Sequence, residues 1–62
     1  MTMYQKLPND PVMLLSFINT QLRDSYKDFD AFVAAFQVDK NTILDKMNLI
    51  DYSYDKATNQ FI

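Results

Sequence analysis

From Pro11 onward the apolar positions recur with a helical period. At about 100° per residue, Leu14, Ile18 and Leu22 form one stripe, widened by Val12, Leu15 and Tyr26, while Ser16, Asn19, Thr20 and Arg23 largely take the other side; this predicts a helix over Pro11 to Tyr26. Met13 and Phe17, four residues apart, lie together off that stripe. A second period covers Phe29 to Phe36, with Phe29, Phe32, Val33 and Phe36 on one face and Ala31, Ala34 and Ala35, small enough to admit a neighbouring helix, around the rest. A third covers Lys40 to Leu49. It turns Ile43, Leu44, Met47 and Ile50 inward and Lys40, Asn41, Thr42, Asp45, Lys46 and Asn48 outward.

The punctuation agrees with these periods. All eight acidic residues are Asp, whose short side chain favours caps and turns over helix interiors. Asp10, Asp28 and Asp39 each precede a periodic segment, where a carboxylate can accept the unpaired N–H groups of a first turn. Pro11 follows Asp10, a helix position at which a missing N–H costs nothing. Gln37 and Val38 form the turn between the second and third helices, a helix-turn-helix-like pair. Many such turns hold Gly where Gln37 stands, because that residue takes a positive φ, but this chain has no Gly. After the third helix the period changes. Tyr52 and Tyr54 alternate with Ser53, polar residues follow, and Gln60-Phe61-Ile62 ends the sequence, as in a β-hairpin. Such a hairpin is marginal alone and must pack on the helices, and Met3 to Leu7 could add a third strand. The expected fold is mainly α (small α+β): one domain over residues 1–62, three helices, then a short C-terminal hairpin.

Length changes the picture more than composition does. A chain of 62 residues buries only about 60% of the surface its unfolded form exposes, so small domains of this kind often carry a staple. With no Cys and no His, disulfides, thiolate chemistry and the commonest metal ligand are excluded, and self-association is the staple that remains. Five Phe and four Tyr supply a good core instead. No apolar run approaches the ~20 residues of a membrane span, and MTMYQKLPND lacks a leader peptide's apolar segment, so a cytoplasmic protein is expected.

Candidate chemistry is sparse. The Asp residues are scattered without metal-ligand spacing, there is no phosphate-binding glycine loop, and no nucleophile has a His beside it, so neither catalysis nor a cofactor or metal site is expected. The three Phe of the second helix read as core, not as a ligand cavity. For nucleic acid, Lys40, Asn41, Thr42 and Lys46 on the third helix and Lys56 in the hairpin are the candidate face. A net charge of −2, with Asp39 and Asp45 among those residues, opposes it. Met13 and Phe17 are the candidate partner face. Either the N-terminal segment around Tyr4 and Leu7 or the terminal Phe61 and Ile62 folds over them, or another chain does.

Two stretches, LPNDPVMLLSFINTQLRD and YSYDKATNQF, resemble those of a family of short bacterial proteins known as domain of unknown function 4250, whose members carry Leu-Pro-Asn-Asp-Pro, a Leu-Leu-Ser…Asn…Leu-Arg-Asp helix, Tyr-x-Tyr and Asn-x-Phe. The resemblance runs from Leu7 to Phe61 and implies a bacterial cytosolic protein without assigned activity. Where some members place Gly before the tyrosines, this chain has Asp51. Two functions are left: a non-catalytic module that binds another protein or itself, or, as the alternative, a helix-turn-helix-like protein that binds nucleic acid.

Overall fold

The computed structural model describes residues 7–62. Helices α1 (Pro11–Asp24), α2 (Phe29–Phe36) and α3 (Lys40–Asn48) precede an antiparallel hairpin of β1 (Tyr54–Asp55) and β2 (Gln60–Phe61). This is the small, mainly α, α+β architecture that the sequence periods predict. Tyr54 stands opposite Phe61 and Asp55 opposite Gln60. Ser53 and Ile62 extend the ladder by exchanging both backbone bonds, at 3.0 and 2.9 Å. The possible strand at Met3 to Leu7 lies outside the described residues except for Leu7, which belongs to no strand.

One core joins all three helices to the hairpin: Leu14, Ile18 and Leu22 from α1, Phe29 and Phe32 from α2, Ile43 and Met47 from α3, and Phe61 from β2. Phe32, with none of its surface exposed, is its centre. Its ring meets those of Phe36 at 4.6 Å, Tyr26 at 5.9 Å, Phe29 at 6.3 Å and Phe17 at 6.4 Å between centroids. These separations fall in the range where offset and edge-to-face aromatic pairs are attractive.

Three expectations about helix faces need correction. Val12, placed on the stripe of α1, is 61% exposed in the first turn of the helix, and the buried stripe is Leu14, Ile18 and Leu22 alone. Asn19, placed on the polar side, is half-buried and holds the hairpin, as described below. Ala34 and Ala35 face solvent and admit no helix, so the small side of α2 is its outer side.

The caps follow the sequence at two of three positions. The Asp10 carboxylate accepts the Met13 N–H at 3.0 Å, and that of Asp28 accepts the Ala31 N–H at 2.8 Å. Asp39 makes no such bond; its carboxylate accepts the Thr42 hydroxyl at 2.9 Å instead. Asp28→Ala is therefore expected to cost about 1 kcal/mol in urea unfolding. Asp39→Ala is expected to stay within about 0.5 kcal/mol of wild type, as other surface substitutions do. Equal losses in both variants would contradict this assignment of the caps.

No Gly is present in the chain, and left-handed polar residues end α2 and the turn after α3. Gln37 (φ 55°) closes α2, its N–H and that of Val38 both donating to the Val33 carbonyl. Asp51 (φ 62°) closes the turn after α3, where the Asp51 N–H donates to Asn48 at 3.0 Å and the Tyr52 N–H to Met47 at 2.9 Å. Glycine is the usual occupant of such positions, since a Cβ there costs about 1–2 kcal/mol. Helix α1 ends two residues before the expected Tyr26: the Ser25 and Tyr26 N–H groups both turn to the Gln21 carbonyl, and a side chain from the hairpin takes the next free carbonyls.

Candidate functional site

Asn19 and Leu22 of the first family-like stretch meet Tyr54, Asn59, Gln60 and Phe61 of the second at the seam between the hairpin and α1. Because Ser53 and Ile62 exchange both their bonds, the next pair, Tyr54 and Phe61, turns its N–H and C=O groups away from the ladder. On the β2 side the Asn19 amide fills that edge like a strand. Its Oδ1 accepts the Phe61 N–H at 2.8 Å and its Nδ2 donates to the Phe61 carbonyl at 3.1 Å. Gln60 Nε2 donates to the Asn19 carbonyl at 3.1 Å and to the Asn59 carbonyl at 2.8 Å.

Asn59, in the left-handed region (φ 56°), completes the seam. Its Nδ2 donates to the carbonyls of Leu22 and Tyr26, both at 3.0 Å, which the end of α1 leaves without helical partners. Its Oδ1 accepts the Tyr54 hydroxyl at 2.6 Å. That hydroxyl in turn accepts the Phe29 N–H at 3.3 Å, in the first turn of α2. The chain of bonds joins α1, α2 and both strands, and the rings of Phe29, Tyr54 and Phe61 pack beneath it at 5.1–5.6 Å. Among the described residues no buried side-chain N or O lacks a partner. The family-like residues Asn19, Tyr54, Asn59 and Phe61 are thus engaged in holding the fold. At the other end, Asp10 caps α1 and the Asn9 carbonyl accepts from Lys46 Nζ at 3.2 Å.

The candidate partner residues separate. Met13 is 62% exposed, whereas Phe17 is half-buried, its ring edge-on to Phe36 at 5.7 Å. Phe17 is three residues beyond Leu14 and so flanks the stripe instead of opposing it. The element packed against its ring is α2, not the N-terminal segment or the terminal Phe61 and Ile62; Tyr4 lies outside the described residues. Other large apolar side chains in the open are Val12 beside Met13, Leu49 (77% exposed), Tyr52 and Ile62 (63% exposed). Leu49 and Tyr52 flank the turn after α3, and Ile62 pairs with Ser53 next to Tyr52.

The candidate nucleic-acid residues separate as well. Lys40 and Lys56 line a groove of about 310 Å³ together with Asp28, Asp30, Phe29 and Leu44. Lys46 and Thr42 line another, of about 280 Å³, with Leu7, Leu14, Val38 and Ile43. Asn41 is exposed and lines neither groove. Lys40 Nζ donates to Asp30 at 2.7 Å and lies 5.9 Å from the centre of the Phe29 ring. That hydrogen bond, and then the charge of Lys40, hold the Asp30 carboxyl below its ordinary pKa. The stabilisation from this pair is present above the ordinary carboxylate range and is lost as pH falls through the lowered value; on an open surface it is largely screened by salt. Among the described residues no group of three or more Asp, Glu, His or Cys is placed to hold a metal, and no helix is long and apolar enough to cross a membrane.

Asn19 and Asn59 are the residues that periodicity misses. Asn19 falls on the polar side of a helical wheel, and its partner lies 42 positions away. The available signal is a run of amides, Asn59-Gln60, directly before an apolar Phe61.

The model of the family described as domain of unknown function (DUF4250) matches residues 8–61. No curated protein and no solved structure matches the chain.

Proposed function

The chain belongs to the DUF4250 family, and from that premise we propose that it is a non-catalytic protein-interaction module of a bacterial cytosol, binding another protein or a second copy of itself. The observation that carries this reading is the division of labour in the molecule. The polar family-like side chains of the hairpin seam are engaged inside, while Met13, Leu49, Tyr52 and Ile62 stand in the open. Exposed apolar surface of this kind is what a protein partner covers.

A second reading, as a helix-turn-helix-like binder of nucleic acid, has one observation in its favour: Gln37 takes the left-handed conformation usual in the turn of such pairs. Charge opposes it. Lys40 is paired with Asp30, Lys46 is bonded to Asn9, and Asp39 and Asp45 stand on the same helix. Neutralising several phosphates is the main source of non-specific affinity, and the two lysines of α3 are already engaged within the described residues.

Affinity capture from the native bacterium tests both readings, with wild type beside Met13→Asp and Leu49→Asp. Met13 is in the first turn of α1, where an added carboxylate suits the helix dipole, and Leu49 is 77% exposed at the C-cap of α3, where one opposes the dipole by about 0.3–1 kcal/mol, so both variants are expected to stay folded. Protein recovered with wild type and lost with either variant is the expected result. Sub-micromolar, steeply salt-dependent binding in a duplex DNA titration would replace this reading with the second.

A further inference from the structure

The joint between α3 and the hairpin combines three features. Asp51 is held at φ 62° without the glycine such a turn favours. Between Lys40 and Ile62 there is neither Gly nor Pro to force the helix to stop. Leu49, at 77% exposed, and Tyr52 are three residues apart, so they would share one face if α3 ran on through the turn.

We propose that this joint is a hinge and that the hairpin, residues 53–62, is exchanged between two copies of the chain as they fold together from the globally unfolded state. The inference deepens the reading above, since it rests on self-association and names its route. In the exchanged dimer α3 continues through Asp51 and Tyr52, which releases the left-handed residue in each copy. The hairpin then docks on the partner copy's α1. Every contact of the seam is regained there, because Asn19, Leu22, Tyr26 and Phe29 meet an identical Asn59, Phe61 and Tyr54. The enthalpic balance is therefore near zero apart from the hinge itself, the condition under which exchange of an element costs little. In the extended helix Leu49 and Tyr52 fall on one face, which the second copy covers. The occupant of the surface is a second copy.

Sedimentation equilibrium of wild type, Asp51→Gly and Asp51→Ala, each refolded at high concentration, tests the hinge. Glycine relieves the turn in the monomer, so Asp51→Gly is expected to lower the dimer association constant at least about tenfold. Alanine, a better helix former and a poor left-handed residue, is expected to raise it by a similar factor. The exchange itself is read in a mixture of isotope-labelled and unlabelled wild type, where Phe61 of one chain is expected to show nuclear Overhauser contacts to Asn19 of the other. Wild type and Asp51→Ala that both stay monomeric overturn the proposal. So does a dimer whose Phe61-to-Asn19 contacts all lie within one chain, an outcome that leaves the interaction-module reading standing. Loss of partner capture with an exchanged dimer intact would do the reverse.

Discussion

Replacing Asn59 with Ala is expected to destabilise the protein by about 3–4 kcal/mol, a large share of the stability available to it. The residue supports three hydrogen bonds at the seam, to Leu22, Tyr26 and Tyr54. Leaving part-buried groups of this kind without partners costs about 1 kcal/mol each, at the low end of the usual range. Alanine also tolerates the left-handed backbone at this position less well than Asn, which adds about 1 kcal/mol. A chain of 62 residues holds roughly 3–9 kcal/mol in total, at about 0.05–0.15 kcal/mol per residue. The variant should therefore unfold at a much lower urea concentration than wild type. Asn59→Gly separates the two causes. It removes the side chain but relaxes the backbone, and is expected to lose about 1 kcal/mol less than Asn59→Ala. Urea unfolding followed by circular dichroism measures both, and a loss below about 1 kcal/mol for Asn59→Ala would remove the seam from the account.

The second large effect lies in the core. Phe32→Ala is expected to cost about 3–5 kcal/mol, the range for truncating a fully buried aromatic. Four rings, those of Phe17, Tyr26, Phe29 and Phe36, lose their shared neighbour at once. Phe36→Ala, truncating a half-buried ring, should cost clearly less. If the two variants lost the same amount, Phe32 would not be the centre of the cluster.

The helices were legible in the sequence because each depends on neighbours within a few residues. Asp10 and Asp28 cap their own first turns, and Leu14, Ile18 and Leu22 repeat at the helical period and are buried together. The hairpin was legible from its change of period, though its strands are shorter than the alternation of Tyr52 to Tyr54 implies. What holds the hairpin down was not legible. An amide at position 19 has the same polarity whether it faces water or the edge of a strand, and the decision is made by Phe61, 42 residues away. Phe17 was misplaced for a similar reason: its distance from the stripe of α1 is real, but α2 crosses on that flank and its Phe36 ring meets it. The turn at Gln37 could be placed although its usual glycine is missing, because the flanking periods fix where the chain must reverse.

The candidate sites fared differently. Lys40, Asn41, Thr42, Lys46 and Lys56 share no one face, since Lys40 and Lys56 open on one side of α3 and Lys46 on another. Sequence alone gives the sign of a charge and not the carboxylate beside it, and Asp30 reaches Lys40 from a different helix.

Asn19, Asn59 and Tyr54 fasten the hairpin to the helices, so the molecule is expected to open as one unit. Native-state hydrogen exchange of the Phe61 amide, followed as a function of denaturant, tests this most directly, because among the described residues that N–H is held by the Asn19 side chain alone, at 2.8 Å. The account predicts that Phe61 exchanges only through global unfolding, with the same free energy and denaturant slope as the core amides of Ile18 and Phe32. Exchange through a low-energy opening that does not depend on denaturant would show a hairpin that comes away by itself, and would contradict it.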